Sequence, residues 1–248
     1  MISVVIPALN EARNLPCLLA VLAHETATHE VIVVDGGSHD MTVDEARRFD
    51  VLVLETQPGR GMQLQCGADL ATGDVLLFLH ADSVFPEGGL NRIVETLAKS
   101  SDLVGGNFRL LFSGDTRFSR WLTRYYAWIR RSGFYYGDSA IFVRRDVYDA
   151  IGGMRPMALM EDFDFVRRLE HFGQTVCIFD PPLVTSSRRF EGYNSVTTVF
   201  GWLIIHALYH LGVSPDRLAS IYYSRRFRRV AVPNRKATSH AESRYDNH

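Results

Sequence analysis

The segment GDVLLFLHAD, residues 73–82, constrains the fold more than any other stretch of the chain. Its run 75–79 is apolar without interruption and closes on His80, Ala81 and Asp82. That pattern marks a strand covered on both faces, whose carboxyl end delivers a carboxylate. In an open α/β sheet, ligands bind in the crevice beyond the carboxyl ends of the strands, which makes Asp82 a candidate site residue. Polar strand ends are also common in such sheets, so the position alone decides nothing.

The same pattern occurs upstream. Residues 2–6 form a short apolar run stopped at Pro7 and followed by the loop PALNEARN, where Asn10 is placed to cap a helix with the stripe Leu15, Leu18, Leu19 and Leu22. Residues 31–34 are all apolar and end in DGGSHD. Strand, helix and strand in quick succession form a βαβ unit and imply a parallel sheet. In DGGSHD the glycines allow close backbone approach to a ligand, Asp35 could hold a ribose or base, and Ser38 and Asp40 could cap the next helix. The same residues also make an ordinary turn. A third strand is expected at 51–54, and Arg60 follows between two glycines at an expected helix start, where a guanidinium and free N–H groups can face a phosphate. The spacing is not G-x-G-x-x-G and the lysine of a P-loop is missing, which argues against a dinucleotide fold and an ATPase.

Further on, Pro86 is expected to open a helix to about residue 99, and 103–112 reads as a strand broken at Gly105-Gly106. Residues 116–131 interleave five arginines with five aromatic residues. The expected form is an amphipathic helix that buries its aromatics and solvates its arginines; a basic helix over an acceptor or a membrane surface is the alternative. A strand at 139–143 and a helix from about 146 to Gly152-Gly153 come next. The helix at 160–172 carries Glu161, Asp162 and Asp164 in its first turn. Acids there suit the helix dipole, and a carboxylate at a helix start near a cleft is also a competent general base. A strand at 175–179 precedes Pro181-Pro182.

The apolar stretch 196–213 contains His206 and His210 and makes a poor transmembrane span; a helix packed on the domain is expected rather than one lying in a membrane interface. Arg225, Arg226, Arg228 and Arg229 form a basic cluster expected to give weak contact with an anionic membrane surface. A net charge of −1 gives no global reason to expect nucleic acid as a partner. Cys17, Cys66 and Cys177 lack any C-x-x-C spacing, against a zinc site or a disulfide framework and in favour of a reducing, cytoplasmic setting. The first residues show no basic n-region or cleavage site, so no export signal is expected.

Five pieces come in one order: VVIPALNEARNL, VIVVDGGSHDMT, GRGMQLQCGADLATGDVLLFLHAD, GDSAIFVRR, and GGM followed by MEDFDF. Over residues 2–169 they resemble a family 2 glycosyltransferase of the GT-A fold. Within that family the chain is similar to the small bacterial subgroup associated with arsenosugar biosynthesis, which has LHAD at the metal site and an SSRR-like segment after the catalytic helix. The resemblance implies an α/β domain over 1–190 with a mostly parallel twisted sheet flanked by helices, its nucleotide-sugar half at about 1–100 and its acceptor half at about 101–190. A helical, basic extension at 191–236 and a disordered tail at 237–248 would follow.

The resemblance further implies that Pro7, Ala8, Asn10, Glu11, Asp35, Gly36, Ser38, Arg60, Gly61, Gln63, Ala81 and Arg188 line the nucleotide-sugar side. Asp82 matches the last acid of the family's D-x-D metal motif for Mg²⁺ or Mn²⁺, and His80 stands at its first position, a departure that leaves it the weaker candidate ligand. Asp162 falls at the catalytic ED pair as general base, Glu161 binds the acceptor or holds Asp162, and Gly137 and Asp138 lie near the acceptor hydroxyls. The implied reaction is an inverting transfer of a sugar from a UDP or GDP sugar to a small-molecule or lipid-linked hydroxyl acceptor. The Q-x-x-R-W motif of processive synthases is absent. A sugar-nucleotide or glycan binding module without turnover is the alternative on the same fold.

Overall fold

The computed structural model describes residues 1–113, 117–185 and 195–224, the first five of the last segment by backbone alone. The apolar runs become strands, and the segments with helical stripes become the helices between them. In chain order the first unit contains β1 (Ile2–Ala8), α1 (Leu15–Ala23), β2 (His29–Asp35), α2 (Thr42–Ala46), β3 (Leu52–Glu55), α3 (Arg60–Leu70), β4 (Val75–Phe78) and β5 (Ser83–Val84). Then come α4 (Gly89–Ala98), β6 (Leu103–Phe112), α5 (Arg117–Arg130), a 3-10 turn (Gly137–Ser139), β7 (Ile141–Arg144), α6 (Arg145–Ala150), α7 (Glu161–Phe172) and β8 (Gln174–Thr185). The chain divides into two compact units, Met1–Ser187 and Arg188–His248.

The eight strands form one sheet in the order β3-β2-β1-β4-β7-β6-β8-β5. β1, β2, β3 and β4 pair in parallel, with Ala8 opposite Asp35, so their carboxyl ends share one edge. β7 then runs antiparallel to β4, with Ile141 opposite Phe78. That reversal sets the amino end of β7, and the Gly137–Ser139 turn before it, beside the carboxyl end of β4. The leucines of α1 expected to face inward, Leu15, Leu18, Leu19 and Leu22, are all buried.

Two helices carry the site to that edge. α3 lies so close on β1 and β2 that a Cβ on Gly67 would stand 2.4 Å from Val5 Cγ1 and 2.9 Å from Val34 Cγ2. α7 packs Phe165, Val166 and Leu169 into the same core as Val5, Val34, Leu76 and Phe78. Phe165 contacts Phe78 edge-on with ring centroids 5.8 Å apart and Tyr148 at 5.7 Å. Each aromatic pair contributes roughly 0.5–1.5 kcal/mol beyond area burial. Arg60 is the first residue of α3, and Glu161 and Asp162 open α7.

Three expectations change. β6 is not broken at its glycines: a Cβ on Gly105 would meet Phe142 O at 2.3 Å and one on Gly106 would meet Val176 O at 2.0 Å, so these glycines let β6 sit tightly between β7 and β8. β8 is longer than expected and continues through Pro181-Pro182 to Thr185, with a cis bond at Asp180-Pro181. On α5 the buried residues are Ser119, Leu122 and Ile129, while Trp121 and Trp128 are 42% and 62% exposed. The expected burial of its aromatics therefore fails for both tryptophans.

In the second unit, α8 (Ser195–His210) and α9 (Pro215–Tyr223) are joined by a turn with Gly212 at φ 81°. Ile205 and Leu218 are buried. Among the described residues no helix is long and apolar enough to cross a membrane. Arg188, the cluster 225–229 and the tail 237–248 lie outside the described residues.

Candidate active site

The loops after β1 and β2 interlock over the parallel edge. Ser38 Oγ accepts a hydrogen bond from the Asn10 backbone N–H at 2.8 Å, and Asn10 Oδ1 accepts one from the His39 N–H at 2.9 Å. Asn10 holds φ 56°, in the left-handed region, and α1 begins later with Asn14 at its cap, so the expected capping role of Asn10 is replaced by this clasp. Glu11 N–H donates to Thr42 Oγ1 at 2.8 Å. Met41, not Asp40 or Ser38, stands at the cap of α2: Asp40 accepts from Thr42 N–H at 3.0 Å one residue earlier, and Ser38 is taken up by Asp35 and Asn10.

Asp35 is buried, and its carboxylate accepts the N–H groups of Gly37 and Ser38 at 2.9 and 2.8 Å and the Ser38 hydroxyl at 2.5 Å. A carboxylate offers about four acceptor positions, so one position remains for a further donor. Pro7 and Ala8 form the end of β1 beneath this loop. Gln63 is buried, and its Nε2 donates to Ala8 O at 2.9 Å and Val34 O at 2.7 Å, tying α3 to the ends of β1 and β2. Gly36 is small because a Cβ there would stand 3.0 Å from the Gln63 carboxamide. Both amide protons of Gln63 are thus spent inside the protein. Gln63→Leu is expected to destabilise the fold by about 2 kcal/mol through the loss of two buried hydrogen bonds, although Ala8 O keeps the Gly36 N–H at 2.9 Å, measured by urea unfolding.

Gly61 has a similar packing duty: a Cβ on it would meet Arg155 O at 2.7 Å and Met157 N at 2.9 Å, so only glycine lets α3 approach the segment that enters α7. Met160, at φ 69°, turns that segment sharply into the helix. The three acids of the first turn then separate. Asp164 pairs with Arg155 at 3.1 Å and Arg168 at 2.8 Å. Glu161 and Asp162 both face Arg60, whose Nε donates to Glu161 Oε1 and whose Nη2 donates to Asp162 Oδ2 at 3.1 Å. Their side chains are only 3% and 10% exposed, against 36% for Arg60.

Asp162 has further partners. Its Oδ2 accepts the Gly137 N–H at 2.9 Å, and its Oδ1 accepts the Phe163 N–H at 2.8 Å. Burial alone favours the neutral acid, but the Arg60 guanidinium and the two backbone donors outweigh it and hold Asp162 below the usual carboxyl range. Glu161 moves the other way, because burial and the neighbouring Asp162 charge together exceed the pull of Arg60. For Arg60, burial works against the charge, yet Asp162 and Glu161 more than restore it, so the guanidinium stays firmly protonated.

The end of β4 reaches the same point. His80 Nε2 lies 3.4 Å from Arg60 Nη1, and since a guanidinium only donates, Nε2 is the acceptor there. A Cβ on Gly137 would stand 3.1 Å from His80 Nε2 and 3.3 Å from Asp162 Oδ2, so glycine is what lets this turn close over both. Ala81 is buried, and Asp82 follows in the turn to β5. Among the described residues none forms a hydrogen bond or ion pair with the Asp82 carboxylate, and no group of three His, Cys, Asp or Glu side chains gathers to hold a metal. A lone carboxylate is a hard oxygen donor of the kind that Mg²⁺ or Mn²⁺ takes.

Asp138 flanks the turn and accepts from Tyr126 Oη at 3.2 Å. Burial, with the Asp138 charge beside it, pushes the Tyr126 phenol well above its ordinary value, so it remains a donor. Tyr126 also meets Tyr136 at 5.9 Å, and Tyr136 stacks on Phe163 at 6.3 Å. Sequence reasoning missed Tyr126 as a wall of the site, since nothing local links a tyrosine on one helix to an acid twelve residues later.

A family model described as Glycosyl transferase family 2 matches residues 3–162. The chain is 33% identical over 204 residues to a PGL/p-HBAD biosynthesis glycosyltransferase of Mycobacterium bovis BCG, spanning 75% of this chain and 72% of that protein. It is 35% identical over 132 residues to Glycosyltransferase AglE of Haloferax volcanii, covering 48% of this chain and 43% of that one. The chain thus spans about half or less of the length of several curated relatives it matches. Among solved structures, mannosyltransferase PcManGT from Pyrobaculum calidifontis, in complex with GDP-Man and Mn²⁺, aligns over 90% of this chain and 70% of its own, with TM-score 0.62 and 18% identity. Glucosyl-3-phosphoglycerate synthase from Mycobacterium tuberculosis, in complex with Mn²⁺, UDP and glucosyl-3-phosphoglycerate, aligns over 86% and 80%, with TM-score 0.60 and 18% identity. At such identities the structural likeness speaks for the fold, which is that of the GT-A proteins. The matched stretch contains the interlocked loops, Arg60, Asp82 and the acidic pair, and on it the chain belongs to glycosyl transferase family 2.

Proposed function

We propose that this protein transfers a sugar from a nucleoside-diphosphate sugar to a hydroxyl acceptor, with inversion and with Asp162 as general base. The observation that carries this reading is the Arg60 bridge. One guanidinium at the start of α3 joins the nucleotide-side helix to Glu161 and Asp162, while His80 and Gly137 touch the same group of atoms. Two halves of the sheet thereby meet in a single charged cleft.

The chemistry follows from those atoms. The acceptor oxygen attacks the anomeric carbon as its proton passes to the Asp162 carboxylate, and the bond from that carbon to the diphosphate oxygen breaks with its electron pair on the leaving group. A single displacement inverts the anomeric centre. Asp162 stays ionised because Arg60, Gly137 N–H and Phe163 N–H stabilise its charge. Arg60, whose guanidinium is partly open to solvent, is placed to turn toward the leaving diphosphate. Asp35 has room for a donor from the base or ribose, while Tyr126 and Gly137 fix the acceptor wall. Asp82 would hold a Mg²⁺ or Mn²⁺ ion, which when bound supplies positive charge to the diphosphate. Donors of the UDP or GDP type fit this reading, in line with the GDP-Man and the UDP bound in the two solved neighbours. LHAD at the end of β4 supports placement in the small bacterial subgroup associated with arsenosugar biosynthesis; the SSRR segment lies outside the described residues.

Calorimetry with UDP and GDP, with and without Mn²⁺, tests the donor half. Binding is expected with the ion, and Asp82→Ala is expected to weaken it by roughly tenfold or more through loss of a carboxylate ligand. No binding of either nucleotide, or identical binding by the Asp82 variant, would overturn the reading.

A further inference from the structure

α5 presents a solvent-facing stripe that the proposed chemistry does not use. Arg117, Trp121, Arg124 and Trp128 follow one another at alternating steps of four and three residues, the spacing that keeps side chains on one face of a helix, and Arg131 continues the spacing just past the helix end. All five are exposed, with Trp128 62% open. Tyr125 ties the two indoles together, stacked on Trp121 at 5.2 Å and tilted against Trp128 at 6.2 Å. A soluble helix normally buries its tryptophans and solvates its arginines. Here the buried face is built instead from Ser119, Leu122 and Ile129, and Arg130 is the arginine drawn inward, bonded to Asn107 Oδ1 at 2.6 Å and Thr175 Oγ1 at 2.8 Å.

The charge on this face has one sign. No acid occurs between Arg117 and Gly137, and among the described residues Arg117, Arg124 and Arg131 have no carboxylate partner. A chain of net charge −1 has thus collected unopposed cations around two exposed indoles. Arginine with tryptophan, and no acid, is the composition that lies at the boundary between headgroups and acyl chains of an anionic bilayer: the indoles enter the boundary and the guanidiniums bind lipid phosphates.

We propose that the outer face of α5 docks the protein on an anionic membrane surface. The same helix forms the acceptor wall from its other side, since Tyr125 meets Tyr126 at 6.2 Å and Tyr126 bonds Asp138 beside the acid pair. Docking through α5 therefore brings the acceptor wall to the bilayer and selects an acceptor carried on a lipid. The choice of acceptor rests on the transferase reading; the docking surface does not.

The test uses the full chain with vesicles of phosphatidylcholine alone and of phosphatidylcholine mixed with phosphatidylglycerol. Flotation is expected with the anionic vesicles only. Replacing Arg117, Arg124 and Arg131 by Gln is expected to lower the partition coefficient by roughly 100-fold, from about fivefold per arginine at an anionic surface. Vesicles with brominated acyl chains are expected to quench tryptophan emission in the native chain, with most of that quenching lost in W121Q/W128Q, where Trp202 remains. Calorimetry with UDP and GDP on the same variants reads the donor site separately and is expected to be unchanged, so failure of docking and failure of the transferase reading appear in different measurements. The proposal is overturned if the native chain does not float, if the triple variant floats equally well, if bromine quenching persists without Trp121 and Trp128, or if heparin in solution binds α5 as tightly as the vesicles do.

Discussion

Asp162→Asn is expected to lower sugar transfer by about 10²- to 10⁴-fold, the usual contribution of a positioned general base, while UDP or GDP affinity stays close to native. The substitution keeps the shape of the side chain, and an amide oxygen at the Oδ2 position still accepts from the Gly137 N–H and from Arg60, so the turn is held and only the Phe163 N–H loses its acceptor. Arg60 keeps Glu161 as its partner. What disappears is the negative oxygen proposed to receive the acceptor proton. Parallel turnover and calorimetry separate catalysis from binding: loss of both together would make Asp162 a structural residue, and loss of neither would favour a binding module over an enzyme.

Arg60→Met is expected to cost stability and activity together. Removing one member of a buried charge cluster leaves Glu161 and Asp162 without their cation, a loss of about 3 kcal/mol, at the low end for buried pairs because the guanidinium is 36% exposed and partly screened. The pH dependence carries a definite sign. In the native protein the pKa of Asp162 is depressed, so its contribution to stability is present above the unfolded carboxyl value and lost as pH falls through the depressed one. Glu161 is raised, so its contribution is present in acid and lost as pH rises through the raised value. Without Arg60 both acids move upward. The variant is therefore expected to lose most stability near neutral pH and least in acid, and any remaining activity is expected to show its acid limb at higher pH than the native enzyme. Urea unfolding across pH and the pH profile of kcat/KM measure the two effects.

The parallel half of the site was legible because its signals are local. A strand buried on both faces needs an unbroken apolar run, and β1, β2 and β4 all announce themselves that way, with Asp35 and Asp82 at or just beyond their ends. The acids of α7 were visible as a loaded first turn, but which of them face the cleft was not. Asp164 goes to Arg155 and Arg168, whereas Glu161 and Asp162 go to Arg60, a residue 101 and 102 positions away. No periodicity in the chain encodes a meeting over that distance; it comes from two crossover helices resting on the same sheet face.

The misread glycines have the same origin. Gly105 and Gly106 looked like a break in β6 because glycine weakens a strand taken by itself, yet here their missing side chains admit the carbonyls of Phe142 and Val176. Asn10 looked like a helix cap from composition and proved to be a clasp between two loops, which only the pairing of β1 with β2 creates. On α5 the amphipathic pattern was correct in period and wrong in face, since hydrophobic weight alone would place Trp128 inside.

The central claim is that a nucleotide-bound ion and the acid pair share one cleft. It is tested most directly by amide NMR of the protein with a diphosphate nucleotide and Mn²⁺, whose unpaired electrons broaden nearby signals. Selective loss of the Gly137 and Phe163 amide resonances, the two N–H groups that hold Asp162, is expected when Mn²⁺ is added to the UDP or GDP complex. Broadening confined to other regions, with those two signals unchanged, would contradict it.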